Sequence, residues 1–238
     1  MPRKSSSRAV VLDRGSPVIV IRNRSKLTDA ELRRVVRAVQ KQVDRDFFPL
    51  WGWRARLLYE PKRAPARAMT LVVKGKSTQY DGYHVINGVP VGVVFTRNEE
   101  QELLPLWSVA FSHEVLEMIA DPGANLYAYG HYVTPRTRRR RSAYVSYEVC
   151  DAVQECTYRI DGVSVSDFVV PEWFEPGRPR GSMRFSFRNA VDAPFALAPG
   201  GYMDVQVGSE LITVDGPPLR EKRRKKRHRH DVRKARFG

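Results

Sequence analysis

The sequence predicts an α+β protein in which a mixed β-sheet packs against two principal helices. Residues 27–52 repeat apolar side chains at helical spacing, and residues 107–120 form an apolar stretch with the length of a buried helix. Several short segments rich in β-branched residues lie between and after them. Because 238 residues are enough for one well-packed core, we expect a single domain over residues 16–215. A flexible basic N-terminus, residues 1–15, should precede it.

Local signals set the expected bounds of these elements. The first helix begins with a capping box, Thr28 and Glu31, and we expect Pro49 to end it. The second helix should run over Trp107–Ala120 and stop at the segment Asp121–Gly123. Strands are expected at residues 16–23, 53–60, 68–75, 89–96, 200–207 and 209–216. Residues 76–88 are expected to be turns, and a hairpin is expected around Asp161-Gly162.

The formal net charge of +15 is concentrated in two segments. Residues 221–238 hold ten Lys and Arg against two acidic residues, a net charge of +8, and five of residues 136–141 are arginine. Such runs repel themselves, so we expect a solvated loop over 136–142 and a disordered tail over 216–238. The tail either solubilises the protein or contacts nucleic acid or another acidic surface without sequence preference. In the second case the contacting residues are Arg223, Arg224, Lys225, Lys226, Arg227 and Arg229.

Composition argues against a membrane or secreted protein. The chain carries no run of about 18 uncharged apolar residues, and its N-terminus lacks an apolar stretch of signal-peptide length. We therefore expect a cytoplasmic protein with no membrane partner. Two cysteines, Cys150 and Cys156, are too few for a disulfide framework, so we expect both to be reduced and Cys150 to be packed.

The second helix combines a narrow polar stripe with an otherwise apolar surface. On a helical wheel Glu117 lies about 40° from His113, and Glu114 lies about 100° from it. The helix contains no Lys or Arg. Burying ionised carboxylates side by side is costly unless a positive charge compensates them, and a metal ion would do so. The alternative is a helix at a cleft edge whose carboxylates reach water or pair with arginine from elsewhere.

The spacing of His113 and Glu117 favours the metal site. The two residues stand four apart on one helix face, as the two ligands do in the H-E-x-x-H helix of zinc hydrolases. Here the motif reads H-E-x-x-E, because a carboxylate replaces the second imidazole. Glu114 takes the position of the general base that acts on water activated by the metal ion. We expect Zn²⁺ as the cofactor.

A third ligand is expected from residues 147–151. We favour Glu148 as the ligand and Asp151 as the residue that orients His113, with the reverse assignment left open. The two carboxylates share a face if the backbone there is helical. Two carboxylate ligands would also admit Mn²⁺ or Ca²⁺. Asp121 is an alternative ligand or supporting residue. Two reserve ligands, each more typical of an ordinary loop histidine, are His84 and His131.

Several blocks of this sequence resemble zincin-like metallopeptidases, and more closely a group of bacterial and phage-associated proteins described as metallopeptidases from their motif. The blocks are SHEVLEMIADP, YEVCDAV, VSDFVVPEWF, PGGYM, DFFPLWG and GYHVINGVPVGVVF, and together they span about residues 28–205. The resemblance implies a zincin-like fold but no particular substrate. The site that it implies contains His113, Glu114, Glu117, Glu148 and Asp151, with Asp167 as a weaker candidate.

We therefore expect a metal-dependent hydrolase, in particular a peptidase. Its peptide or protein substrate would pair in an extended conformation with a sheet edge formed by residues 89–95. The alternative is a non-catalytic or virion-associated protein that keeps the zincin-like fold and binds nucleic acid through its tail. Loss of cleavage in a Glu114→Gln variant that retains metal would favour the first over the second.

Overall fold

A five-stranded mixed sheet forms the first half of the fold. The computed structural model describes residues 16–76, 81–97, 103–104, 106–133, 139–177 and 183–219. The strands of the first sheet are β1 (Val18–Arg24), β2 (Arg56–Tyr59), β3 (Met69–Lys76), β4 (Gly82–Asn87) and β5 (Val89–Arg97). Their order is β2-β1-β3-β5-β4. Four strands run parallel, and β4 pairs antiparallel with β5. The predicted mixed sheet is confirmed.

The second half of the chain adds a four-stranded antiparallel sheet and a separate hairpin. The strands are β6 (Tyr127–Val133), β7 (Arg140–Ser146), β8 (Thr157–Ile160), β9 (Val163–Ser166), β10 (Tyr202–Val207) and β11 (Glu210–Asp215). The sheet has the order β11-β10-β7-β6, and β8 pairs with β9. The predicted turn at Asp161-Gly162 is confirmed, with both residues at positive φ.

The prediction of a loop over residues 136–142 is wrong in part. Residues 140–142 are the first residues of β7 and pair with β6. The strand is part of the sheet because its alternate residues Ala143 and Val145 face the core. Residues 136–138 lie outside the described residues. So do the expected N-terminal extension, residues 1–15, and residues 220–238 of the tail predicted over 216–238. The first residues of that predicted tail are instead held in place, because Gly216 N donates a hydrogen bond to Gly201 O and Pro217 O accepts one from Gly200 N.

The first helix, α1 (Asp29–Gln42), starts at the predicted capping box. It does not end at Pro49, however. A π-helical turn, Val43–Phe47, continues it into a short helix, α2 (Phe48–Trp51). Pro49 lies in the first turn of α2, where a missing N–H breaks no helical hydrogen bond. The helical segment ends instead at Gly52, whose φ of 68° is the left-handed conformation that glycine adopts readily.

The second predicted helix, α3 (Trp107–Ala120), has the expected bounds. It packs against β4 and β5 on one side and against β9 on the other. It lies close to the first sheet because Gly92 of β5 has no side chain. A Cβ atom at this position would lie 2.5 Å from Leu71 Cδ1 and 2.7 Å from Met118 Sδ. Strands from both halves of the chain therefore cover the apolar surface of α3.

The sheet edge beside α3 is β4, and the prediction that residues 89–95 form it is wrong. Strand β5 lies between β3 and β4. The polar composition of residues 76–88 predicts turns. In the structure, however, Gly82 and His84 face the interior and alternate with more exposed neighbours. Gly88, with a φ of 69°, makes the tight connection from β4 to β5.

A triangle of buried polar side chains joins α1, α3 and β9. Ser112 Oγ donates a hydrogen bond to Gln42 Oε1 at 2.9 Å and accepts one from Ser166 N at 2.9 Å. Gln42 Nε2 donates to Ser166 O at 2.8 Å. These contacts lie within one hydrophobic core that extends into both sheets. None of the described helices is long and apolar enough to span a membrane.

Candidate metal centre

Helix α3 carries His113, Glu114 and Glu117 into the protein interior. All three side chains are buried, as the cation-free stripe in the sequence predicts. They lie where α3 meets β4, β5 and β9, so solvent does not surround any of them. Charge on these groups must therefore be balanced largely by neighbouring side chains.

The imidazole of His113 contacts two carboxylates. Its Nε2 atom lies 3.0 Å from Glu117 Oε2 and 3.1 Å from Asp151 Oδ1. Burial acts to lower the pKa of His113, but the charge of Glu117 and the contact with Asp151 outweigh it and raise that pKa well above its ordinary value. A proton on this imidazole is one positive charge that can hold the two carboxylates together. A divalent cation bound by the same side chains is another.

Glu114 contacts β4 through its side chain. Its side chain fills the space above Gly82, where a Cβ atom would lie 2.9 Å from both Glu114 Cγ and Oε1. Its Oε2 atom lies 3.3 Å from His84 Nδ1. His84 Nε2 lies 2.9 Å from the carbonyl oxygen of Asp121, which can only accept, so Nε2 carries a hydrogen. His84 thus links the Glu114 carboxylate to the end of α3.

The segment after β7 brings the third carboxylate to the cluster. The backbone N–H of Cys150 donates to Glu117 Oε1 at 3.3 Å, and a 3₁₀ turn, Asp151–Val153, begins at the next residue. The backbone before Asp151 is a turn and not a helix, so the condition under which Glu148 would share a face with Asp151 is not met. Asp151, for which the roles of orienting residue and of ligand were both left open, directly contacts the imidazole nitrogen that faces Glu117.

Glu148 and Asp121 lie in the same buried region. Burial first, and then the charge of Glu148, raise the pKa of Asp121. Asp121 Oδ2 accepts a hydrogen bond from Leu126 N at 2.9 Å, which closes the turn after α3. Its Oδ1 atom is buried and accepts no hydrogen bond from the described residues. Asp121 is therefore a residue of the helix end rather than a contact of His113.

Within the described part of the chain, two sets of three side chains bring their ligand atoms within 4.8 Å of one another. One set is His113, Glu117 and Cys150, and the other is His84, Glu114 and Glu117. Glu117 belongs to both sets, and Glu148 belongs to neither. The sequence predicts His84 only as a reserve ligand, and it predicts that Cys150 is packed rather than that it binds metal. The alternation of buried residues in β4 is the signal that indicates His84.

The cluster reaches solvent through a small pocket of about 50 Å³ beside His113 and Glu114. Gly82 of the edge strand β4 and Val109 of α3 form part of its wall. The pocket places an open space next to the carboxylate that the sequence marks as a general base. A substrate group entering it would meet the end of the cluster that holds Glu114.

Three other predicted residues or groups lie elsewhere. His131 is on β6 and contacts Arg140, with 2.8 Å between Nδ1 and the guanidinium. Asp167 is buried, and its Oδ1 accepts a hydrogen bond from Arg188 N at 3.0 Å. The tail residues expected to contact nucleic acid lie outside the described residues.

Compared with protein-family models, with curated proteins and with solved structures, the chain shows no match. Its fold and the geometry of the candidate site are therefore what indicate its class. It is a mixed α/β protein in which two imidazoles and several carboxylates meet beside a solvent-open pocket.

Proposed function

We propose that this protein is a metal-dependent hydrolase that cleaves peptide bonds. The observation that carries the proposal is the meeting of His113, Glu117 and Asp151 at one imidazole nitrogen, next to a pocket bordered by Glu114. Buried groups of this kind, whose protonation is strongly perturbed by specific neighbours, are concentrated at functional sites.

Two of the three donor pairs have a spacing close to that in a divalent metal site. Ligands bound at about 2.0–2.1 Å to a tetrahedral ion are separated from one another by about 3.3–3.4 Å. In the structure His113 Nε2 lies 3.0 Å from the Glu117 oxygen and 3.1 Å from the Asp151 oxygen. The three ligand atoms are not among the sets that lie within 4.8 Å of one another, so the Glu117 and Asp151 carboxylates would have to approach each other to bind the ion. We therefore assign Asp151 as the third ligand in place of Glu148. Zn²⁺ fits the nitrogen and oxygen donors, and Mn²⁺ and Ca²⁺ remain compatible with two carboxylates.

Each residue of the proposed site then has a defined role. When bound, the metal ion would polarise a carbonyl group and acidify water. Glu114 accepts a proton at Oε1 or Oε2 and returns it to the leaving nitrogen. Gly82 leaves room for this carboxylate beside β4, and His84 holds it through Nδ1. In this assignment Glu114 acts as the base and not as a ligand, although it also belongs to the alternative ligand set with His84 and Glu117.

The choice of a peptide substrate rests on β4. This strand pairs with β5 on one side only among the described strands, and Gly82 borders the pocket. An extended peptide can add to such an edge through main-chain hydrogen bonds. A mixed sheet with an antiparallel edge strand beside the motif helix also supports the zincin-like fold, which belongs to this proposal.

The metal is tested by elemental analysis of the purified protein. We expect about one equivalent of divalent metal in the wild type and strong loss in His113→Ala. His131→Ala is a matched control, because His131 contacts Arg140 on the second sheet and should leave metal content unchanged. Equal metal content in all three proteins would refute the assigned site.

The reaction is tested by Glu114→Gln. We expect peptide cleavage to fall by about 10²–10⁴-fold while metal content stays at the wild-type level, because the amide cannot accept the proton. Cleavage would be measured against a peptide library with the wild type and the variant side by side. If both proteins hold metal and neither cleaves any peptide, catalysis is excluded and the metal centre is structural.

The charge of the tail favours a second candidate function in that case. Residues 221–238 carry a net charge of +8, which suits a non-catalytic or virion-associated protein that contacts nucleic acid. This candidate keeps the metal centre and the fold but assigns them to stability. It predicts that Glu114→Gln alters no measured property, whereas loss of the tail abolishes binding.

A further inference from the structure

We propose that the outward face of β6 and β7 binds single-stranded nucleic acid, independently of the metal centre and of the tail. Two tyrosines mark this face. Tyr129 is 61% exposed and Tyr144 is 55% exposed. They are direct cross-strand neighbours, and their ring centroids lie 5.6 Å apart. Two adjacent aromatic rings with more than half of their surface in water are unusual for a face with no ligand.

The pairing of the two strands explains why the rings point outward. Gly130 and Tyr132 of β6, and Ala143 and Val145 of β7, face the core. The residues between them therefore face away from it. This exposed face consists of Tyr129, His131, Val133, Arg140, Ser142 and Tyr144. It is part of a regular sheet whose other side is fixed in the core, so the rings are held on a rigid support.

Arg140 adds a positive charge in a fixed position. Its guanidinium donates to His131 Nδ1 at 2.8 Å, and the ring of His131 packs against Phe195 with 5.0 Å between centroids. Burial and the charge of Arg140 lower the pKa of His131, which is consistent with a neutral imidazole that accepts this hydrogen bond. In the register of the strands, Ser142 and His131 form the row between Arg140 and the tyrosine pair. The contact of Arg140 with His131 thus places the guanidinium beside the row that adjoins the tyrosine pair.

Aromatic rings beside a guanidinium on a sheet surface suit unpaired bases. Bases of a single strand stack on aromatic side chains, while arginine neutralises the phosphates. A duplex keeps its base faces inside the stack, so it cannot use the rings in this way. The charge balance favours an anionic partner, because the chain carries +15 and Arg139, Arg140 and Arg141 are all exposed at this end of the sheet.

The test measures binding of fluorescein-labelled oligo(dT) and of a mixed-sequence duplex of the same length to the full chain by fluorescence anisotropy. Tyr129→Ala/Tyr144→Ala should bind oligo(dT) at least about tenfold more weakly and the duplex as the wild type does. Because the tail is present in every protein, its contribution to the binding of each probe is the same in the wild type and in the variants. Ile86→Ala/Val89→Ala, which removes two exposed apolar side chains from the β4–β5 hairpin, is the matched control and should change neither.

Two further variants separate stacking from charge. Tyr129→Phe/Tyr144→Phe keeps the rings and should retain oligo(dT) binding, which also shows that the surface is folded. Arg140→Ala should make the plot of log affinity for oligo(dT) against log salt less steep by about 0.7, whereas the tyrosine variants should leave this slope unchanged. The proposal is overturned if the alanine pair binds oligo(dT) like the wild type. It is also overturned if the alanine pair loses duplex binding equally, or if the phenylalanine pair loses as much as the alanine pair.

Discussion

At the scale of single residues, Gly82 determines how closely Glu114 can approach the edge strand. The Glu114 side chain occupies the volume in which any larger residue would place its Cβ atom, 2.9 Å from the nearest carboxylate oxygen. Two residues along β4, His84 contacts the other oxygen of the same carboxylate. One strand thus both makes room for the proposed base and holds it.

A Gly82→Ala substitution should therefore displace Glu114. A misplacement of about 1 Å can lower a reaction rate by about 10²-fold, so we expect a loss of that order in peptide cleavage. Metal content should stay unchanged, because the three atoms nearest to a Cβ at this position all belong to Glu114 and not to the proposed ligands. Gly75→Ala on β3, where a Cβ atom meets no atom within 4 Å, is the control for replacing a strand glycine. Full activity in Gly82→Ala would show that the position of Glu114 is unimportant for cleavage.

Asp167 gives the protein a pH-dependent contribution to stability. Burial raises its pKa to about 6, against hydrogen bonds from the backbone of Phe168, from Ser186 and from the backbone of Arg188. The folded state thus holds this proton more tightly than the unfolded chain, whose aspartate has the ordinary pKa of 3.8. The resulting stabilisation is complete below the unfolded pKa and is lost as the pH rises through about 6.

We therefore expect the free energy of unfolding of the wild type to fall, relative to that of Asp167→Asn, by roughly 2–3 kcal/mol between about pH 4 and pH 7. Urea denaturation across this range would measure it for both proteins. The exposed residue Asp44 supplies a control for the Asp-to-Asn change itself, Asp44→Asn. Parallel stability curves for the wild type and Asp167→Asn would contradict the prediction.

The residues of the candidate metal centre divide into those that local spacing predicts and those that it does not. His113 and Glu117 share a face because the helix repeat requires it, and the structure has both in one buried cluster. The contact of Asp151 with His113 depends on how the segment after β7 docks on α3, through Cys150 N and Glu117. Helix periodicity says nothing about such long-range docking, which is why the sequence could favour Glu148 over Asp151 as the ligand but could not decide between them.

At the scale of elements, the 3₁₀ turn Asp151–Val153 is the support of the proposed third ligand. Gly201, just before β10, packs against it so closely that a Cβ atom would lie 2.2 Å from Ala152 O and 3.1 Å from Asp151 O. These are backbone atoms, which cannot rotate away as a side chain would. Strand β10 and the turn therefore fix each other's position.

Gly201→Ala should force the turn to move and should weaken the metal centre. We expect a loss of about 1–3 kcal/mol in the free energy of unfolding, as for other overpacked sites, together with weaker metal binding. Urea denaturation and metal titration measure the two effects, and Gly75→Ala again serves as the control. Wild-type metal affinity in Gly201→Ala would show that the turn does not position a ligand.

The elements were predicted best where periodicity and turn signals agree. Helix α3 has its expected bounds, and the hairpin at Asp161-Gly162 is confirmed. Strand β4 was missed because its polar composition hides a short alternation that only pairing with β5 stabilises. The prediction that Pro49 ends the first helix is wrong, because the π-helical turn before it shifts the helical register. Pro49 therefore lies in the first turn of α2, where a proline is tolerated.

At the scale of the whole molecule, charge is distributed unevenly. The chain carries +15, and removing residues 221–238 removes +8 of it and leaves +7 on residues 1–220. If the tail contacts nucleic acid, a chain ending at residue 220 should bind duplex DNA more weakly and with a shallower dependence on salt, because fewer counterions are released. Anisotropy titrations between about 50 and 200 mM salt measure both quantities. An unchanged salt dependence would show that the tail does not contact the duplex.

The triangle of Gln42, Ser112 and Ser166 has a consequence for how the protein can accommodate a bound molecule. It joins α1, α3 and β9 by hydrogen bonds in the dry interior, where breaking one leaves a polar group unsatisfied. Sliding or rotating α3 would break these hydrogen bonds together, so we expect the helix to keep its position when a molecule binds. A rearrangement that admits or releases a ligand is then expected in the edge strand β4, while His113 keeps its place on α3.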